Sequence, residues 1–401
     1  MSGALDGIRV LDLSRVLAGP WATQMLGDLG AEIIKVEKPG VGDDTRAWGP
    51  PWLDDPSGDP AKRRSAYYLS ANRNKKSVAI DIASADGQAL VRALALKSDV
   101  VVENFRRGGL ARYGLDAASL RALDPRLVYC SITGFGQDGP RAAQPGYDLM
   151  IQALSGFMSI TGEPDRDPQR AGVAIIDIMT GLHAVIAILA ALRQREATGE
   201  GQVIDLALFD VAASVLANQA LNYLVSGAPP VRQGNTHPNI VPYQSFATAD
   251  GHLILAVGND AQFARFVALA GHPEWGADER FATNAARVAH RDVLVAGIAA
   301  AMALRPTAEW SALLDAAGIP FGPINRIDQA LADPQALHRG LVRGDAAAPG
   351  IASPLRLSAS STGEATPPPF LGQDTRGVLQ GLLGIDGAEC ARLAQAGVIG
   401  G

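Results

Sequence analysis

The chain has 401 residues, 47% of them apolar and 19% charged, with no long polar or acidic run. Such a length exceeds one ordinary core, and such a composition belongs to a folded protein; two domains are expected, and disordered or fibrous classes are excluded. A net charge of −6 argues against a general nucleic-acid or anionic-membrane partner, yet leaves room for a local basic patch around a small phosphate ligand. The two cysteines, Cys130 and Cys390, lie far apart in no metal-ligand spacing, so neither a disulfide framework nor a metal site is implied. No basic segment followed by an apolar core opens the chain between Met1 and Gly7, so no signal peptide is visible and the cytoplasm is the expected address.

A strand-like run, Ile8 to Leu13, leads into a loop holding Ala18, Gly19 and Pro20, a helical stretch from Trp21 to Leu29, and a second strand from Ile33 to Val36. Strand, helix and strand within about thirty residues form a βαβ unit of a parallel sheet. Further strands are expected at Ser77–Ile82, Asp99–Glu103 and Leu127–Ser131, with a helix over Gly87–Leu96. The stretch from Ala171 to Leu192 is the most apolar in the chain; Asp177 and His183 interrupt it and make it costly in lipid. It is expected to hold a short strand, Val173–Ile176, and a buried helix from Ile178 to about Glu196. Another apolar helix is expected over Asp205–Val225. Gly227–Pro242, rich in Gly, Pro and Asn, has the composition of a linker. A strand near Leu253–Val257 and helices at Ala261–Ala270, Arg291–Leu304 and Ala308–Ala317 make up a smaller domain.

Familiar catalytic motifs are absent: no HExxH, CxxC pair, P-loop or Gly-x-Ser-x-Gly elbow occurs. Gly134-Phe-Gly-Gln-Asp-Gly139 fits a dinucleotide pattern, but Pro140, Pro145 and Gly146 follow, so no helix begins there to meet a pyrophosphate. Asp177 follows an apolar run and precedes a helix, where Asp is an ordinary N-cap. The same place suits a carboxylate nucleophile, because a helix N-terminus favours its charge while apolar neighbours strip it of water. Tyr147 and Asp148 by themselves suggest a turn and a cap. Arg106, Arg107 and Arg112 form a basic group after a strand: a solvated face, or a phosphate holder if a cleft lies beside it. His237 is a lone loop histidine with no metal partner in spacing.

Together, several segments resemble the family III CoA-transferases, the CaiB/BaiF family. They are Leu11-Asp-Leu-Ser-Arg-Val-Leu-Ala-Gly-Pro20, Gly27-Asp-Leu-Gly-Ala-Glu-Ile-Ile-Lys-Val-Glu37, Val102-Glu-Asn-Phe105, Gly134-Phe-Gly136, the Tyr147 and Asp177 segments, and Gly318-Ile-Pro-Phe-Gly-Pro323. The resemblance implies that Asp177 is the nucleophile, with Tyr147 and Asp148 beside it. It places Leu17, Ala18, Lys38, Ile80, Asp81, Asn104, Phe105, Arg106 and Arg112 along the CoA site; Lys38 stands where the family often has arginine. The glycine-rich loop of the formyl-CoA:oxalate enzymes has no counterpart. The linker with His237 and Gln244, and Pro367-Pro-Pro-Phe-Leu-Gly-Gln373, look more like the succinyl-CoA:dicarboxylate branch, with His237 and Gln244 as candidates for the substrate wall.

The implied fold is α/β, with a Rossmann-like large domain built from both chain ends, a smaller α/β domain, and two chains interlocked as rings. The corresponding boundaries are 1–200 and 326–401 for the large domain, 201–226 for a linking helix and 227–325 for the small domain. The implied reaction moves CoA from an acyl-CoA donor, succinyl-CoA foremost, to a small dicarboxylic acid through an aspartyl-CoA thioester. Acyl-CoA enters as substrate, with no tightly bound cofactor or metal and no membrane or nucleic-acid partner. A 2-methylacyl-CoA racemase on the same fold is the rival reading. Its chemistry typically has a histidine before the second-cluster aspartate, where this chain has Tyr147, a weak base with a reference pKa of about 10.

Overall fold

The computed structural model describes residues 3–55, 59, 63–345, 348–362 and 366–400. The chain divides into two compact units: Met1–Phe157, Ala171–Leu221 and Gln335–Gly401 form the first, Met158–Arg170 and Asn222–Pro334 the second. The strands of the two main sheets are, in chain order, β1 (Arg9–Asp12), β2 (Glu32–Glu37), β3 (Lys75–Ile80), β4 (Val100–Glu103), β5 (Val128–Thr133), β6 (Val203–Ala207), β7 (Tyr243–Ala247), β8 (His252–Ala256), β9 (Phe321–Pro323) and β10 (Ile399–Gly400). The helices that matter for the site are α1 (Ala18–Asp28), α2 (Ala85–Ala95), α3 (Asp148–Leu154), α4 (Ile175–Thr198), α5 (Leu208–Ser214) and α6 (Ala217–Ser226).

The first unit is built on a sheet ordered β10-β3-β2-β1-β4-β5-β6, in which every pairing is parallel except that of β10 with β3. Its inner strands are rich in Val, Ile and Leu on both sides because helices cover both faces. Leu11, Ile34, Val78 and Val101 pack with Leu90, Val91 and Leu94 of α2 on one face. On the other face Val10, Ile33, Val100 and Val102 pack with Ala22 and Leu26 of α1 and Ala184 and Ile188 of α4. Fully buried charges also lie in and beside the sheet, each paired: Lys75 Nζ lies 3.1 Å from Asp12 Oδ2 and Lys35 Nζ 2.9 Å from Asp43 Oδ2. In the second unit β9, β8 and β7 form an antiparallel three-stranded sheet, over a core that includes Phe263, Phe266, Leu294, Ile298 and Trp310.

Two expected elements differ. No strand forms over residues 173–176. The helix α4 begins at Ile175, and Asp177 is its third residue, not its cap. The reason is tertiary: Asp148 Oδ1, from α3, accepts the N–H groups of Ile176 at 2.7 Å and Asp177 at 3.2 Å and so caps the helix from outside its own segment. The single helix expected over 205–225 is a strand followed by two helices, because Val203 to Ala207 pair with Tyr129 to Thr133 and extend the sheet. Residues 158–170 group with the second unit: Gly234 N–H donates to Gly162 O at 3.0 Å, and the Arg232 guanidinium to the carbonyls of Glu163, Pro164 and Arg166. By length and composition α4 is long and apolar enough to cross a membrane; its Ile176, Ala184, Ile188 and Leu192 are buried in the core of the first unit.

Candidate active site

In an open parallel sheet, ligands bind beyond the carboxyl ends of the strands where the strand order reverses. Here the chain runs from β1 outward to β2 and β3, then crosses to β4 on the other side of β1, so the reversal falls between β1 and β4. A cavity of about 360 Å³ opens at that point. One wall is Arg15 to Ala18, between β1 and α1; another is Asn104 to Arg107, after β4. Ile132 to Gly134, Gly146 and Tyr147, Trp48 and Asp177 complete its inner side. Gly134 and Gly146 let two backbones touch: a Cβ on either would stand 2.4–2.6 Å from the other's Cα, which holds the Tyr147 segment against the end of β5.

Asp177 stands in the first turn of α4 with its side chain in the cavity wall. Burial, and after it the charge on Asp148, pushes its carboxyl up to about 7. Asp148 itself does not line the cavity. It is buried behind the site, capping α4 and accepting from Gln152 Nε2 at 2.5 Å, while Gln152 Oε1 accepts the Ala171 N–H at 2.9 Å. The two carboxylates therefore differ in placement: one is tied to backbone donors, the other faces open space. Helix α1 reaches the same cavity through a close approach, since a Cβ on Gly181 of α4 would stand 2.8 Å from the Ala18 carbonyl oxygen.

Of the residues expected at the site, the cavity gathers Leu17, Ala18, Asn104, Phe105, Arg106, Tyr147 and Asp177. Lys38, Ile80, Asp81 and Arg112 are not in its lining. Lys38 and Asp81 follow β2 and β3 directly and Ile80 ends β3, so these three lie along the same carboxyl edge. Crossing from β5 to β3 spans four interstrand steps, about 19 Å, so these positions suit an extended ligand and not a compact one. Arg112 is exposed, with its guanidinium 4.5 Å from the Tyr113 ring centroid. His237 and Gln244 belong to the second unit. There His237 Nδ1 accepts from Asn239 N–H at 3.1 Å, and Gln244 is buried with no partner for Oε1. Among the described residues no group of three or more His, Cys, Asp or Glu side chains is placed to hold a metal ion.

Three side chains escaped the sequence reading. Trp48 and Asp44 line the cavity from a 3₁₀ turn, Asp44–Ala47, and its end; a tryptophan following a polar, glycine-rich stretch was the available signal. Tyr67 packs edge-on against Trp48 with ring centroids 5.1 Å apart. Burial and then the charges of Asp177, Asp148 and Asp43 raise the pKa of its hydroxyl, so it stays protonated near the carboxylates.

The fold and site define a doubly wound α/β protein with a cavity at its switch point and a half-buried carboxylate in a helix first turn, placed to act as a nucleophile. The model of CoA-transferase family III matches residues 5–375, and the chain belongs to that family. It is 53% identical to the succinate–glutarate CoA-transferase of Agrobacterium fabrum over 94% of both chains. It is 45% identical to the succinyl-CoA:glutarate CoA-transferase of Mus musculus over 98% of this chain and 90% of that one. Among solved structures, a CaiB/BaiF family protein from Brucella suis is 48% identical and superposes with a TM-score of 0.86, covering 95% of this chain and all of the other.

Proposed function

We propose that the protein transfers CoA from succinyl-CoA to a five-carbon dicarboxylic acid of the glutarate type, with Asp177 as nucleophile. The observation that carries the reading is the 53% identity, over 94% of both chains, to a protein named for succinate and glutarate. The position of Asp177 in the cavity wall supports its role. The Asp177 carboxylate attacks the thioester carbon; the C–S bond breaks, and an acyl-aspartyl anhydride and a CoA thiolate result. The thiolate returns to the aspartyl carbonyl, which releases succinate and leaves an aspartyl-CoA thioester. Glutarate attacks that thioester, the thiolate leaves again, and its attack on the glutaryl carbon of the new anhydride yields glutaryl-CoA and regenerates Asp177. No net proton or electron is exchanged. Water must be excluded, since either intermediate would hydrolyse.

Leu17, Ala18, Asn104, Phe105 and Arg106 border the path proposed for the CoA arm, with Lys38, Ile80, Asp81 and Arg112 towards its nucleotide. We assign His237 and Gln244 to the acid's surroundings. We also propose an interlocked homodimer: α6 buries none of its residues within the chain and exposes Leu221, Leu224 and Val225 by 55%, 72% and 85%. A monomer in sedimentation velocity would refute that assembly.

The test of the reaction is mass spectrometry of acyl-CoA products in D₂O, with succinyl-CoA and a panel of carboxylic acids. Glutaryl-CoA is expected, and Asp177→Ala abolishes its formation while leaving CoA binding measurable. Transfer by the alanine variant, or deuterium entering 2-methylacyl-CoA with no transfer to any acid, overturns the assignment.

A further inference from the structure

We propose that Asn104 is a positioning residue: its side-chain amide latches the Arg15 backbone and holds Val16 in a left-handed turn at the cavity wall. The inference rests on reading this cavity as the acyl-CoA site. Strands β1 and β4 run parallel, and their last backbone bond joins Leu13 N–H to the Val102 carbonyl at 2.8 Å. Two residues further on, the Asn104 side chain bonds the Arg15 backbone at both its N–H and its carbonyl. Asn104 Oδ1 accepts the Arg15 N–H at 2.9 Å and Nδ2 donates to the Arg15 carbonyl at 2.7 Å. The amide thus acts as a surrogate peptide group that prolongs the ladder past the strand ends. An Asn engaged at both ends by one residue's backbone is a poor ligand contact and a good clamp.

What the clamp holds is the next residue. Val16 has φ of 70°, a region that β-branched residues rarely adopt. Its N–H donates to Asp43 Oδ1 at 3.2 Å. Asp43 is itself fixed: it is buried, lies 2.9 Å from Lys35 Nζ, and accepts the Thr45 N–H at 3.0 Å. The Arg15 guanidinium adds a third tie, 3.0 Å from Asp44 Oδ2 and 5.5 Å from the Phe105 ring centroid. Leu17 and Ala18, the start of α1, follow immediately in the cavity wall. With Asn104 removed, Val16 relaxes towards negative φ and the wall that leads into α1 loses its shape.

A double-mutant cycle with Val16→Gly tests this, because glycine accepts φ of 70° without steric cost. Asn104→Ala in the natural background should raise the KM for succinyl-CoA roughly tenfold with a smaller change in kcat. In the Val16→Gly background the same substitution should raise it less than about threefold, since no strained residue remains to be held. An equal factor in both backgrounds would mean that Asn104 acts directly on the ligand, and the proposal fails. A second readout needs no activity. In ligand-free protein, trypsin cleavage of the Arg15–Val16 bond, followed by mass spectrometry, should be at least about fivefold faster in Asn104→Ala than in the parent. An unchanged cleavage rate overturns the latch. If the parent protein shows no thermal shift with succinyl-CoA, the reading of the cavity fails separately, and the cleavage rates still decide the latch.

Discussion

Replacing Asp177 by Asn should stabilise the ligand-free protein, and do so more at pH 8 than at pH 5. Folding raises the carboxyl from 3.8 to about 7, through burial first and the charge on Asp148 second. Each tenfold change in proton affinity is worth about 1.4 kcal/mol, so above pH 7 the native state carries about 4 kcal/mol of unfavourable free energy at this one group. At pH 5 the native carboxyl is protonated while the unfolded one is mostly ionised, and the cost is only about 2 kcal/mol. The stability is therefore intact below about pH 4 and is lost progressively as pH rises to about 7. An amide keeps the shape of the protonated acid and removes the charge. With an unfolding entropy of about 2.1 cal/mol/K per residue, the gain in Tm is about 5 °C at pH 8 and about 2 °C at pH 5. Thermal unfolding of both proteins at the two pH values is the assay. An equal gain at both, or a loss at pH 8, would show that Asp177 is not held against its charge.

Two further substitutions probe the same corner. Asp148→Asn leaves an acceptor for the Ile176 and Asp177 N–H groups but removes the neighbouring charge. The acidic limb of the pH profile of kcat/KM, set by Asp177, should move below its natural midpoint yet remain above 3.8 because burial persists. An unmoved midpoint would mean that the charge is not felt. Gly181→Ala places a Cβ 2.8 Å from the Ala18 carbonyl oxygen and 3.1 Å from Trp21, so α1 must shift away from α4. Overpacking costs about 1–3 kcal/mol, offset by about 1 kcal/mol of helix propensity, so Tm should fall little. The kcat should fall by at least about tenfold, because the cavity wall and the nucleophile separate; undiminished turnover would remove the spacing role from Gly181.

The opening strand–helix–strand unit was legible because its signals are local: β-branched runs, a proline in the first helical turn and a glycine after the last. At Asp177 the local signals gave the helix that follows, but not the turn of it in which the carboxylate stands, since they suggested a cap after a strand. What could not be read is whatever depends on a distant partner. The start of α4 is set by a carboxylate 28 and 29 residues before the two N–H groups it accepts, so local propensity drew a strand where a helix begins. The run from Val203 to Ala207 is a strand only because β5 lies beside it. The placement of Arg15 opposite Asn104 follows from strand order, which no periodicity encodes. Asp148 was singled out as one of a pair, yet its work as an external cap was hidden in its sequence neighbourhood, where it reads as the cap of its own helix.

The edge of the large sheet at β3 has a consequence for how the chain is made. Ile80 and Ala79 pair with Ile399 and Gly400, and Ser77 and Ala79 donate their N–H groups to Asp374 and Thr375. The partners of this strand thus lie some three hundred positions further along the chain. At about 5–20 residues per second, the ribosome leaves that edge open for some tens of seconds. An uncovered strand of this kind is a template for pairing with another chain. The nascent polypeptide consequently carries a sticky margin until the segment around residues 374–400 has been made and covers it.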